Sequence, residues 1–232
     1  MNKALLIGNG PSVAEKEFGS RIDSNEFDKV IRFNRWRFDD DGSEHKTFNS
    51  LIKNVGTRCD YWVVSDQHVF GGQNCNAIEK KHLYEAVLVV MPKFKYVPSL
   101  GSLEYKRHNM IHNSGGKTES DFVKEIEGKF PNIRFIDYSY EDAVNKVVNF
   151  EPNWPSTGTT TICWAIDNFE EVYLHGFDCF DFKYDTIHYF EDENAPLGRN
   201  NYKFKKKPDH TPDKDKEYIK YVINNKNVKI LK

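Results

Sequence analysis

The 232-residue chain has little that would staple, anchor or strongly charge it. Its four cysteines, Cys59, Cys75, Cys163 and Cys179, include no C-x-x-C pair. Neither a disulfide framework nor a zinc site is expected, and reduced thiols of a cytosolic protein fit the spacing better. No apolar run approaches the roughly 20 residues of a membrane-spanning helix, and the apolar start at residues 4–7 is too short for a signal peptide. Lys and Arg number 33 against 35 Asp and Glu, a formal charge of −2, so no global basic field points to nucleic acid. There is no internal repeat and no low-complexity linker. Hydrophobic residues make up 38% of the chain, enough for a core. These features lead to the expectation of one soluble domain over 1–232, cytoplasmic, either free or peripheral to the inner membrane.

Against that background, short apolar runs bounded by turn residues read as buried strands. Residues 4–7 run into Gly8-Asn9-Gly10-Pro11-Ser12, a turn like that of a nucleotide-binding α/β unit. It is not a full G-x-G-x-x-G, because Val13 stands where the third glycine belongs. Asn9 brings an amide, both donor and acceptor, to a strand end; its bland role is a turn residue. Residues 27–34 form a second strand that ends in another amide, Asn34. Residues 59–64 form a third, ending at Ser65-Asp66, and 85–91 and 133–137 read as two more. A helix is expected over 121–130, stopped by Pro131, and 97–117 reads as a polar surface excursion. Asp39-Asp40-Asp41-Gly42 reads as a solvated acidic turn rather than a metal site. Strands alternating with helices imply an α/β protein with a mainly parallel sheet and helices on both faces.

The densest chemistry lies between 152 and 193. Ser156-Thr157-Gly158 opens a helix, with hydroxyls to cap free N–H groups and a glycine that lets a ligand approach. Such a helix start suits a phosphate. A strand over 171–175 then delivers Gly176 and Asp178 at its carboxyl end, where ligands sit in open α/β sheets. An aromatic cluster follows, with Phe180, Tyr184, His188 and Tyr189. Residues 183–210 are expected to form a lid, including the basic stretch 203–207. His210 closes it, just before Thr211, which is expected to cap a helix with Pro212 in its first turn. A histidine there is well placed to titrate.

These segments, in this order, resemble sialyltransferases. Ala4 to Ser12 with Ile22-Asp23-Ser24 and Val30 to Asn34 look like the large sialyl motif of the eukaryotic-type family, glycosyltransferase family twenty-nine. Val55-Gly56-Thr57-Arg58 resembles that motif's tail. Pro155 to Gly158, through Glu171 to Phe177, is similar to the small motif. His188-Tyr189-Phe190-Glu191 looks like the third motif, and His210 with Asp215 looks like the very small one. The start at Gly8 and the His210 pattern are also similar to the bacterial lipooligosaccharide sialyltransferases of family forty-two. Ala4 stands where the eukaryotic enzymes carry a disulfide cysteine.

The resemblance implies a Rossmann-like, GT-A-like variant fold that transfers a sugar from CMP-sialic acid, with inversion and no metal or other cofactor, to a galactose-terminated glycan. It implies His210 as base and His188 beside the leaving phosphate. Gly8, Asn9, Gly10, Ser12, Asn34, Ser65, Ser156, Thr157, Gly158, Gly176, Asp178, Phe180, Tyr184 and Tyr189 are then expected around the nucleotide sugar. Kdo or legionaminic acid as the sugar, or a non-catalytic nucleotide- or glycan-binding module, are the alternatives. Val13 and Asn34 speak against a dinucleotide oxidoreductase.

Overall fold

Leu5 and Ile7 face one way and Ala4 and Leu6 the other, and all four are fully or almost fully buried. That is the pattern of a strand covered on both faces. It forms β1 (Lys3–Ile7), the middle of a parallel sheet in a computed structural model that describes residues 2–37, 44, 48–65, 80–90, 119–151, 153–179 and 211–232. In chain order there follow α1 (Gly19–Ile22), β2 (Lys29–Phe33), α2 (Phe48–Val55), β3 (Tyr61–Ser65), β4 (Ala86–Val90), α3 (Glu119–Lys129), β5 (Ile133–Ile136), α4 (Ser139–Val147), α5 (Thr157–Asn168), β6 (Glu171–His175), α6 (Pro212–Asn225) and β7 (Val228–Ile230).

Among the described residues the sheet has seven strands in the order β5-β4-β3-β2-β1-β6-β7, every pair parallel. Strands β1 to β6 contribute to two apolar layers. One holds Leu5, Val30, Trp62 and Val87 under α1, α2 and α3; the other holds Leu6, Ile31, Val63 and Leu88 under α4, α5 and α6. The protein is an α/β fold of the Rossmann-like type. The chain winds outward from β1 to β5, then returns across the second face and adds β6 on the other side of β1. The strand order therefore reverses between β1 and β6, and the crevice of such a sheet opens there, above the carboxyl ends.

The expected strands are present to within two residues, with two differences. Asn34 lies beyond β2, at φ 46°, so the strand stops at Phe33. Four elements had no counterpart in the sequence reading: α1, α2, α4 and β7. The surface excursion over 97–117, the acidic turn Asp39-Asp40-Asp41 and the lid over 183–210 lie outside the described residues. No described helix is long and apolar enough to cross a membrane.

Part of the large-motif resemblance works at the opposite end of the sheet from the crevice. Gly56, at φ 64°, lets the chain turn from α2 towards β3, and Asp23 closes over that turn. Its carboxylate accepts from the N–H groups of Thr57 and Arg58 (both 2.8 Å) and from the Thr57 hydroxyl at 3.1 Å. Arg58 in turn donates to the carbonyls of Ser24, Phe27 and Asp28 and pairs with Asp60 at 2.9 Å. Asp23 to Ser24 and Gly56 to Arg58 thus form a clasp at the amino edge, tying the entries of β2 and β3 together. Replacing Asp23 with Ala should lower unfolding stability by about 1–2 kcal/mol while leaving nucleotide affinity unchanged. Denaturant titration beside CMP calorimetry checks both halves.

Candidate functional site

The loops after β1 and β6 touch so closely that side chains are excluded between them. The N–H of Gly8 donates to the His175 carbonyl at 2.7 Å, and that of Gly10 to the Gly176 carbonyl at 2.9 Å. A Cβ on Gly8 would lie 2.3 Å from the Gly176 oxygen. One on Gly10 would lie 2.3 Å from an Asp178 carboxylate oxygen. Gly176 itself sits at φ 70°, and a Cβ there would meet Val13 at 2.3 Å. Val13 thus stands where a dinucleotide fingerprint has glycine because its side chain packs beneath this contact. Asp178 completes the seam by accepting from the Ser12 N–H at 2.8 Å. One Asp178 oxygen therefore braces the two loops.

Asn9 and Asn34 are both placed at the carboxyl edge, but they present opposite chemistry. Asn9 spends its Nδ2 on the Phe33 carbonyl at 3.0 Å, and its Oδ1 is buried with no partner among the described residues. It offers an acceptor, which suits a hydroxyl or amino group and not a phosphate. Asn34 spends its Oδ1 on the Ser65 N–H at 3.0 Å, while its own N–H and carbonyl are taken by Val63 and Trp62. Among the described residues its Nδ2 donor is left. Its left-handed backbone, like that of Cys179 at φ 49°, is an uncommon conformation for a non-glycine residue and marks this edge as specialised.

Directly beside the seam stands the N-terminus of α5. Ser156 is its cap, as the sequence indicates, and its hydroxyl accepts from the Thr159 N–H at 3.2 Å. Thr160 N–H goes to the Ser156 carbonyl. Asp215, from the first turn of α6 and 3% exposed, accepts from the Ser156 N–H at 3.1 Å and from the Thr159 hydroxyl at 2.5 Å. What remains is a pair of adjacent N–H groups, those of Thr157 and Gly158, without a partner among the described residues. Gly158 carries no side chain to cover them, and a Cβ there would press on Phe177 at 3.0 Å. Two N–H groups unpaired among the described residues, at the positive end of a 12-residue helix, suit an anion.

Asp215 was legible in the sequence only as a spacing from His210. Its burial could have been read from α6 itself, since Asp215, Tyr218, Ile219 and Val222 lie on one helical stripe and all are buried. Thr211 departs from expectation. It stands before Pro212 at the start of α6, but its side chain makes no capping bond and its buried hydroxyl has no partner among the described residues. The carboxylates that follow it, Asp213 and Asp215, supply the negative charge that this helix start needs instead.

His175 had no assigned role in the sequence. It ends β6, is 7% exposed, and lies edge-on to Phe18 with ring centroids 5.3 Å apart. Burial, with the Arg32 and Lys16 cations nearby, pushes its imidazole down to about 4, so the ring is neutral at ordinary pH.

Thus Gly8, Asn9, Gly10, Ser12, Asn34, Ser65, Ser156, Thr157, Gly158, Gly176 and Asp178 all lie at the carboxyl edge of the sheet, around the β1–β6 switch. Phe180, Tyr184, His188, Tyr189 and His210 lie outside the described residues. Among the described residues no cluster of three His, Cys, Asp or Glu side chains is arranged to hold a metal ion.

Gly176 is the position least able to accept a side chain. Gly176→Ala should cost roughly 2–5 kcal/mol, combining left-handed strain with overpacking against Val13. A thermal midpoint within a degree of the wild type would contradict the close approach described here.

A family model described as glycosyltransferase family 29 (sialyltransferase) matches residues 1–227. No curated protein matches the chain.

Proposed function

The chain belongs to the sialyltransferases of glycosyltransferase family 29, and we propose that it transfers sialic acid, with inversion, from CMP-sialic acid to a hydroxyl of a galactose-terminated glycan. The observation that carries this reading is the unpaired N–H pair of Thr157 and Gly158 at the switch crevice, flanked by the acceptor of Asn9 and the donor of Asn34. A nucleoside monophosphate ester matches that set. Its phosphate suits the helix N-terminus, and a ribose hydroxyl suits the Asn9 acceptor.

The chemistry follows from the donor. Its anomeric carbon is tertiary and bears a carboxylate, so breaking the bond to the phosphate oxygen builds oxocarbenium character, and CMP leaves with the bonding electrons. The acceptor hydroxyl attacks the opposite face. Its proton goes to a base with a pKa near the working pH, the role proposed for His210. Negative charge grows on the leaving phosphate, and preorganised donors that strengthen there lower the barrier. Thr157 and Gly158 supply two, and His188 with Tyr184 or Tyr189 is proposed to supply more. Protein donors on this scale support a reaction that runs without a metal.

Incubating the protein with CMP-sialic acid and a panel of galactosides should release CMP only when an acceptor is present. Turnover should persist in excess EDTA, and a loss restored by magnesium or manganese would refute the metal-free mechanism. No release with any CMP-linked sugar, despite CMP binding, would leave a binding module.

Asn9→Ala should weaken CMP binding by about 1–2 kcal/mol, read by calorimetry. His210→Ala should lower kcat on the order of 10²-fold or more with CMP affinity nearly intact, and should remove the acidic limb of the rate profile. If that limb survives His210→Ala and disappears in His188→Ala, the two assignments are reversed.

A further inference from the structure

His175 is a buried imidazole that the mechanism does not use. Its Nε2 has no hydrogen-bond partner among the described residues, although the side chain is more than nine-tenths buried. Register places it in a specific row: Ile7 of β1 pairs with Arg32 on one side and with His175 on the other. Side chains in register across parallel strands share a face, so Arg32 and His175 flank Ile7 on the α1–α2 side of the sheet. Arg32 is 0% exposed. Its guanidinium is held by the carbonyls of Val55 and Arg58 and by the ring of Trp36 at 4.5 Å.

The groups facing His175 are Arg32 from β2, Lys16 from the turn before α1, and the Phe18 ring, which is also approached by Arg21 of α1 at 5.4 Å. The charged groups among them are all cations. One step along the chain lies the seam, where the His175 carbonyl receives the Gly8 N–H.

We propose that His175 is a positioning residue of the donor crevice: its uncharged ring, wedged against Phe18 in the row of Arg32, holds the β1 and β6 loops together, and its protonation opens them. A proton on this ring would add charge beside the buried Arg32, and no carboxylate among the described residues acts on His175 to offset it, which is costly in a low-dielectric interior. Swinging the end of β6 outward would hydrate the ring at the expense of the Gly8, Gly10 and Ser12 hydrogen bonds across the seam and of the packing of Phe177 on Phe33.

The sign follows from linkage. With the seam closed the imidazole takes up its proton only at about 4, whereas the hydrated ring of the open form has the ordinary value of 6.5. Closure is therefore fully favoured above pH 6.5 and weakens as the pH falls towards 4. Between pH 7 and pH 5 the open-to-closed ratio should rise about 20-fold.

The inference rests on the crevice being the donor site, and the test separates the two. Native-state hydrogen exchange, corrected for intrinsic rates, is followed at the Gly8 and Gly10 amides from pH 7 to pH 5. The expected result is a roughly 20-fold loss of protection at these two amides in the wild type, and little or none in His175→Gln. The Val89 amide of β4, far across the sheet, should keep its protection. Equal pH dependence in wild type and variant overturns the proposal. So does a parallel loss at Val89, which would mean general acid destabilisation; this comparison needs only the wild type should the variant fail to fold.

CMP calorimetry at the same two pH values gives the functional arm. The wild type should lose more affinity than His175→Gln, and the ratio cancels the titration of CMP's own phosphate. Equal losses contradict the coupling to binding. Failure of CMP to bind even at pH 7 counts against the transferase reading, while the exchange result still decides the role of His175.

Discussion

The backbone contact between Gly8–Gly10 and Gly176 is the constraint on which the rest of the crevice depends. Seven parallel strands place their carboxyl ends along one edge, and only where β1 and β6 adjoin does the connectivity reverse. At that point the two following loops do not splay apart. They are drawn together by two backbone hydrogen bonds and by the Asp178 carboxylate on Ser12. The cost is steric: three positions must remain glycine, because every added Cβ would fall within 2.3 Å of another atom. In return the two loops approach to backbone hydrogen-bonding distance, and Asn9 is aimed at a fixed place by its bond to Phe33.

A second economy operates at α5. A helix begins with four N–H groups that its own carbonyls cannot satisfy. Here Ser156 caps the one at Thr159. Asp215 crosses from α6 to take the N–H of Ser156 itself, just ahead of the helix, and fixes the Thr159 hydroxyl. The two groups that remain, on Thr157 and Gly158, are adjacent and face the seam's side of the sheet edge. The same carboxylate that orders this corner also draws the first turn of α6 against α5, so that the segment following residue 210 and the start of α5 are held by one buried network. The helix terminus concentrates positive potential at this corner.

Much of this was legible in the sequence because it is local. Apolar runs of four or five residues ending in Gly8, Asn34 or Gly176 betray buried parallel strands and their carboxyl ends, and Ser156-Thr157-Gly158 reads directly as a capped helix start. What was not legible depends on contacts far apart in the chain. Asp178 also braces Ser12, 166 positions away, a contact that no local pattern announces. Asp23 and Arg58 read as parts of the large-motif resemblance, and only the folded chain shows that they form a clasp at the opposite edge. His175 passed as one more residue of a buried strand, since its partner Arg32 enters only through the register of β1. The short helix α1 and the three-residue β7 were missed because neither is long enough to show a period.

The central claim is that the β1–β6 switch crevice, with its phosphate position at α5, is where the nucleotide sits. A crystal structure of the protein with CMP tests this most directly. The account predicts phosphoryl oxygens within hydrogen-bond distance of the Thr157 and Gly158 N–H groups, and a hydroxyl or amino group of the nucleoside on Asn9 Oδ1. Nucleotide bound at the amino edge, against the Asp23–Arg58 clasp, or a phosphate turned away from α5 would contradict it.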